Sequence, residues 1–182
     1  MDMPQGDTNT SDPDKRKLSE ITFDRPTIKD GPTLWQLVLD AGNLDVNSRY
    51  AYLLWCRDFA DTTIVARHGD QIAGFITGYI RPDSPQTYFV WQVAVNPAFR
   101  RLGLALRMLD NVYERLGRNQ IRFIETTVTP DNKASLRLFA SFAEAHDADL
   151  KQDVLFNEHD LGEGHEPEVL HTIGPMPYAD TK

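Results

Sequence analysis

The sequence predicts an α/β fold: one sheet with helices on both of its faces. Three observations predict it. Strand-like and helix-like periodicities follow one another in the order β-α-α-β-β-β-α-β-α-β-β. The segment Thr87 to Val95 is apolar on both faces except for Gln92, as a strand buried on both sides must be. Two later segments, Leu102 to Leu116 and the one opened by Asn132, carry apolar residues along a single helical face.

Each element has a local reason. Ile21 to Thr27 reads as a short first strand. Asp30-Gly31-Pro32-Thr33 signals a helix start, because the first turn has no use for the N–H that proline lacks. Leu34, Leu37, Val38 and Ala41 then share a face, and Gly42 ends the helix. Asn47-Ser48 offers an N-cap to an aromatic-rich helix over Arg49 to Asp58. From Asp61 the period changes. Thr62 to Arg67 and Gln71 to Ile80 form a hairpin about the turn His68-Gly69-Asp70. Arg81 to Pro85 is expected to be a turn outside the sheet, since proline cannot donate to a strand ladder.

Asn96-Pro97 closes the Thr87 to Val95 strand. Leu102, Leu106, Leu109, Tyr113 and Leu116 mark the next helix, with Arg107, Asp110, Glu114 and Arg118 opposite. Ile121 to Val128 is a strand, and Thr129-Pro130-Asp131-Asn132 caps a helix whose apolar face includes Ala134, Leu138, Phe139 and Phe142. A strand within His146 to Leu155, a polar loop over Asn157 to Pro167 and a last strand over Glu168 to Ile173 complete the chain.

Composition sets outer bounds. With 182 residues, 41% apolar and 25% charged, the chain fits one soluble globular domain, expected over residues 21–175. Residues 1–20 are polar, lack the apolar block of a secretory signal, and are expected to be a disordered tail, with a short C-terminal tail at 176–182. No apolar run approaches the roughly 20 residues of a membrane span, so no membrane partner is expected. A net charge of −8 argues against a nucleic-acid partner, which needs clustered Lys and Arg. Cys56 is the only cysteine, which excludes an internal disulfide and a Cys-based zinc site. It is expected to be a small buried hydrophobe, and a cytoplasmic location follows by elimination.

The chemistry is concentrated in Val93-Ala94-Val95-Asn96-Pro97-Ala98-Phe99-Arg100-Arg101-Leu102-Gly103-Leu104-Ala105. A buried strand runs into a turn that opens a helix. Free N–H groups and the helix dipole make such a turn an anion site. Gly103 and Ala105 let a diphosphate approach the backbone, and Arg100 and Arg101 add charge-assisted hydrogen bonds. No Gly-Lys-Ser/Thr follows and the triple-glycine spacing is missing, so this is neither a P-loop nor a dinucleotide fingerprint.

Arg100-x-x-Gly103-x-Ala105 after a strand ending Val-Ala-Val-Asn-Pro resembles the coenzyme-A signature of the GNAT N-acetyltransferase superfamily. Asn132-x-x-Ser135-x-x-Leu138-Phe139 resembles the helix that follows it there. The resemblance implies a GNAT-like mixed, mostly antiparallel sheet with a splayed central strand pair and helices on both faces. It implies acetyl-CoA as co-substrate and no metal. The pantetheine arm would lie between the strands Trp91 to Val95 and Ile121 to Val128, bonded to the backbone of Val93 and Val95. Backbone N–H groups of Arg100, Arg101, Leu102, Gly103, Leu104 and Ala105 would hold the diphosphate, and Asn132, Ser135 and Leu138 would line the arm. Position 139 departs from the pattern: Phe139 stands where many members have a tyrosine thought to protonate the leaving thiolate.

A closer resemblance rests on Asp45-Val46-Asn47-Ser48-x-Tyr50-x-Tyr52, Phe89 to Val95, Thr127 to Asn132, and Leu155-Phe156 with His159 and His165. These segments are similar to the diaminobutyrate acetyltransferase family of ectoine biosynthesis. That implies a small diamino acid as acceptor, transfer to its 4-amino group, and a homodimer. A diamino acid needs acceptors for two ammonium groups and a donor for one carboxylate. Asp45 and Glu125 are candidate acceptors, although Asp45 equally suits a helix cap and Glu125 an exposed strand charge. Asn47 belongs to the same motif. Tyr50 and Trp91 either wall the alkyl chain or belong to the core. Glu125 and His165 are the candidate bases, His165 because it lies in a glycine-flanked loop, and the N–H of Val93 is the expected oxyanion donor. Two alternatives stay open: a GNAT enzyme for another amine (amino acid, polyamine or protein N-terminus), and a non-catalytic acyl-CoA-binding module.

Overall fold

The computed structural model describes residues 18–42, 44–117, 120–162 and 164–177. The expected tails at 1–20 and 176–182, and Arg118 on the polar helix face, lie wholly or largely outside these residues.

Among the described residues, seven strands and five α-helices keep the expected order, with one short helix added before the last strand. They are β1 (Ile21–Asp24), α1 (Gly31–Ala41), α2 (Arg49–Asp58), β2 (Ile64–His68), β3 (Gln71–Arg81), β4 (Ser84–Val95), α3 (Leu104–Leu116), β5 (Phe123–Val128), α4 (Lys133–Ala145), β6 (Leu150–Phe156), α5 (Glu158–Leu161) and β7 (Glu168–Ile173). The strands form one sheet in the order β1-β2-β3-β4-β5-β7-β6. Neighbours run antiparallel except β4 and β5, which are parallel. The sheet is therefore mixed and mostly antiparallel.

The helices cover both faces. Leu34, Leu37 and Val38 of α1 and Tyr52 and Cys56 of α2 pack on Val65, Ile72, Phe75 and Ala94. On the other face, Met108, Leu109 and Val112 of α3 and Phe139 and Phe142 of α4 pack on Ile64, Ile76, Val90 and Ile124. Each large apolar side chain so buried contributes about 1.5–3 kcal/mol against its exposed state. Capping follows the sequence: the Ser48 hydroxyl accepts from Ala51 N at 3.3 Å, and Asn132 Oδ1 accepts from Ser135 N at 3.1 Å.

Three expectations are corrected. Pro85 lies inside β4, not in a turn outside the sheet. The ladder slips there, from Ile80↔Tyr88 to Arg81↔Ser84, and a bulge is where a strand tolerates a residue without an N–H. The strand expected from Ile121 starts at Phe123, because Ile121 N is still bonded to Gly117 O at 3.1 Å in the turn that follows α3. The polar loop after Asn157 contains the single turn α5, made by the Asn157 side chain capping His159 N at 2.9 Å and Asp160 N at 3.3 Å.

Strand β4 departs from regular pairing on both of its edges. Its pairing with β5 covers only Thr87↔Phe123 to Val90↔Thr126, although both strands run on. The Thr126 hydroxyl donates to Val90 O at 3.2 Å at the last paired step, and beyond it the two strands diverge. Opposite, β3 pairs Gly78 with Val90 and Thr77 with Gln92, which leaves Trp91 as an extra residue. Such a bulge bends its strand, here away from β5.

Candidate active site

The divergence of β4 and β5 opens a cleft through the middle of the sheet. One part, of about 600 Å³, is lined by Val93, Val95, Arg100, Arg101, Gly103, Leu104, Ala105, Asn132, Ser135 and Leu138, together with Arg137 and Ser141 of α4. A second part, of about 380 Å³, is lined by Asp45, Asn47, Phe89, Trp91, Gln92, Thr127, Phe139 and Glu168. The two share Leu44, Val93, Asn132 and Ser135, so they form one trough that passes between the strands.

The first part has the makings of an anion cradle. Arg101 and Gly103 both have positive φ, 62° and 69°, and Gly103 is the N-cap of α3. Alternating left-handed residues turn successive N–H groups to one side, and the free amides of the first helical turn continue the row. A Cβ at Gly103 would meet no protein atom within 4 Å, so the backbone there faces open space. Arg100, Arg101 and Arg137 flank the cradle. Arg100 Nε reaches only Val95 O, at 3.4 Å, and among the described residues none of the three has a carboxylate partner. A diphosphate fits this donor set.

Every cofactor-binding candidate lines this part except Leu102, whose side chain packs against the core. Arg137 was missed in the sequence. So was Glu168, the first residue of β7, which lines the second part. Neither stands in a local pattern, and only the fold brings them to the trough.

Among the substrate candidates, Asp45, Asn47 and Trp91 line the second part. Trp91 is half exposed and lies against Trp55, with ring centroids 6.2 Å apart. Tyr50, on the outer side of α2, is 66% exposed and does not line it. Glu125 shares a face with Thr127 but stands on the paired side of the fork, where Arg81 Nη1 holds its carboxylate at 2.8 Å. His165 is exposed in the loop before β7 and also lies outside the lining. The two expected bases are thus outside the trough, one tied up by an arginine of the β3–β4 hairpin and the other on a surface loop.

Three further groups bear on chemistry. Phe139 is buried and lines the second part, so the trough holds at that point an aromatic ring with no acidic proton. Cys56 is buried beneath α1. Burial, and then the nearby Asp30 charge, pushes its thiol up to about 12, which leaves it protonated and away from the trough. His171 is buried on β7, and burial lowers its pKa, so it is neutral at pH 7. Among the described residues no group of three His, Cys, Asp or Glu side chains could hold a metal ion, and no helix is long and apolar enough to cross a membrane.

Comparison with known proteins supplies a frame for this geometry. Residues 32–143 match the model of the acetyltransferase (GNAT) family. The chain is 51% identical to an L-2,4-diaminobutyric acid acetyltransferase of Streptomyces coelicolor over 161 residues, 87% of this chain and 95% of that protein. A solved structure, the diaminobutyrate acetyltransferase EctA of Paenibacillus lautus in complex with its substrate L-2,4-diaminobutyric acid and coenzyme A, superposes with a TM-score of 0.82. It is 40% identical, and the match covers 88% of this chain and 98% of that one. The ribosomal-protein-S18-alanine N-acetyltransferase of Escherichia coli is 13% identical with a TM-score of 0.65 over 89% of this chain and 98% of that one, a likeness of fold alone.

Proposed function

This chain belongs to the acetyltransferase (GNAT) family, and from that premise we propose that it transfers the acetyl group of acetyl-CoA to the 4-amino group of L-2,4-diaminobutyrate. The products are N4-acetyl-L-2,4-diaminobutyrate and CoA. The observation that carries the reading is the trough itself: an arginine-flanked row of amides at one end, a gap between parallel strands in the middle, and a recess lined by Asp45 and Glu168 at the other. The likeness to diaminobutyrate acetyltransferases supports the choice of amine.

The residues divide the work along the trough. Amides and arginines from Arg100 to Ala105 hold the diphosphate, and Arg137 adds a third guanidinium. The open edge of β4 at Val93 and Val95 takes the pantetheine arm. A thioester bound this way supplies an activated acyl carbon within reach of the recess. The Val93 N–H polarises its carbonyl and favours the developing oxyanion, an effect typically worth a few kcal/mol. Asp45 and Glu168 attract the two ammonium groups of the acceptor. The attacking amine must first lose a proton, and Glu168, which lines the recess, accepts it directly or through water. Phe139 donates nothing, so the thiolate leaves unassisted, which a thiol of ordinary pKa about 8.5 permits. With Cys56 buried and protonated, transfer is direct, in a ternary complex.

The product enters ectoine biosynthesis, as the acetylated diamino acid whose cyclisation gives a compatible solute. The enzyme works in the cytoplasm. It does so as a homodimer, which the apolar side chains on the β6 edge support: Val154, Leu155 and Phe156 are all exposed in the single chain.

The test is acetyl-CoA-dependent thiol release with L-2,4-diaminobutyrate, ornithine, lysine and a peptide N-terminus, followed by NMR of the product. Diaminobutyrate is expected to have the highest kcat/KM, with the acetyl group on the 4-amino nitrogen. Preference for a peptide would overturn the substrate. Binding of acetyl-CoA without turnover of any amine would leave a binding module.

A further inference from the structure

Gln92 is the one polar side chain in an otherwise apolar strand segment, and the trough explains it only in part. The bulge at Trp91 decides where it points. Val90 belongs to the core under α3 and α4, and an uninterrupted strand would put Gln92 on that same face. The extra residue shifts the alternation by one, so Gln92 pairs with Thr77 and turns to the α1–α2 side. There it is 8% exposed and meets two partners. Tyr52 Oη, from α2, lies 2.8 Å from Gln92 Oε1, and Gln92 Nε2 lies 2.9 Å from the main-chain oxygen of Asp45.

The chemistry fixes the amide. A backbone carbonyl can only accept, so the NH₂ end must face Asp45 and the carbonyl end must take the Tyr52 hydroxyl proton. Turned over, the amide would set its carbonyl against the Asp45 carbonyl and lose that bond. This hydrogen bond ties the segment before Ser48 directly to the sheet, and Asn47 of the same segment also bonds the Tyr52 side chain. Its far end is Asp45, a residue that lines the recess.

We propose that Gln92 is a positioning residue for the amine substrate: locked by Tyr52, its amide pins the Asp45 main chain and so holds the Asp45 carboxylate over the open end of the β4–β5 fork. The inference rests on the reading of Asp45 as an ammonium acceptor. Gln92 itself need touch no substrate. The bulge, the strand amide, the α2 tyrosine and the loop thus form one device that sets substrate geometry from inside the protein.

Gln92→Glu tests it with almost no change of shape. The carboxylate still accepts from Tyr52 but now opposes the Asp45 carbonyl, so the tether is lost. KM for L-2,4-diaminobutyrate is expected to rise by about 10-fold or more, the scale of one lost buried hydrogen bond. KM for acetyl-CoA should stay within about 2-fold, since the amide cradle is untouched. Tyr52→Phe frees the amide to turn without adding charge and should give a smaller rise of the same kind. It serves in place of Gln92→Glu if that variant does not fold. Asp45→Asn, measured alongside, separates the two ideas. If it raises the amine KM while the Gln92 and Tyr52 variants leave it unchanged, the positioning role is wrong and Asp45 stands. If Asp45→Asn has no effect, the reading of Asp45 falls first. Equal rises in both KM values would show a general structural part and overturn the proposal.

Discussion

Arg137 shows how much one side chain can add to a site and still escape the sequence. It stands on α4 and lines the same part of the trough as Arg100 and Arg101, and none of the three is neutralised by a carboxylate among the described residues. Three guanidiniums without a carboxylate at one opening suit a ligand with several phosphate charges. Arg137→Gln is expected to raise KM for acetyl-CoA by roughly 10-fold, the lower end of a lost charged hydrogen bond, and to leave KM for the amine unchanged. Steady-state kinetics at two salt concentrations check it, with the difference shrinking at high salt. Arg100, Arg101 and Gly103 were legible because they stand in one contiguous turn whose geometry is local. Arg137 and Glu168 sit on separate elements, and nothing in their own neighbourhoods marks them. Glu125 was legible as a carboxylate beside the splay, but its partner is not: Arg81 reaches it across the sheet from the β3–β4 hairpin, at 2.8 Å. An ion pair between distant segments is tertiary information.

At the scale of elements, periodicity and capping carried most of the reading. The helix Arg49–Asp58 and the strand Glu168–Ile173 have the expected ends, because Ser48 caps the first and the second follows a loop rich in turn residues. The irregularities of β4 were not legible. A strand apolar on both faces hides a one-residue slip, so neither the Trp91 bulge nor the Pro85 bulge leaves a trace in the pattern. Gly78 is the visible remnant of that geometry. A Cβ there would overlap the Tyr88 hydroxyl and come within 2.5 Å of Phe89 O and Tyr88 Cζ. The Tyr88 ring cannot yield easily, since its hydroxyl donates to Thr62 O at 2.7 Å. Gly78→Ala is therefore expected to cost about 1–3 kcal/mol, the range for overpacking a core. Denaturant unfolding would show it as a lower midpoint at unchanged slope. A neutral result would mean that β4 can shift, and that the fork is softer than its packing implies.

At the scale of the molecule, function comes from a fault in the sheet. Among the described residues, five antiparallel strand pairs close the layer, but the parallel pair closes only from Thr87 and Phe123 to Val90 and Thr126. Helices seal both faces elsewhere, so the gap is the place where an extended arm can cross from the cradle at α3 to the recess beside Asp45. The most direct measurement is a crystal structure with CoA bound. The diphosphate should lie against the main-chain N–H groups of residues 101–105, with the pantetheine between β4 and β5 along Val93 and Val95. CoA bound on any other surface, or a gap that stays empty at saturating ligand, would contradict the account.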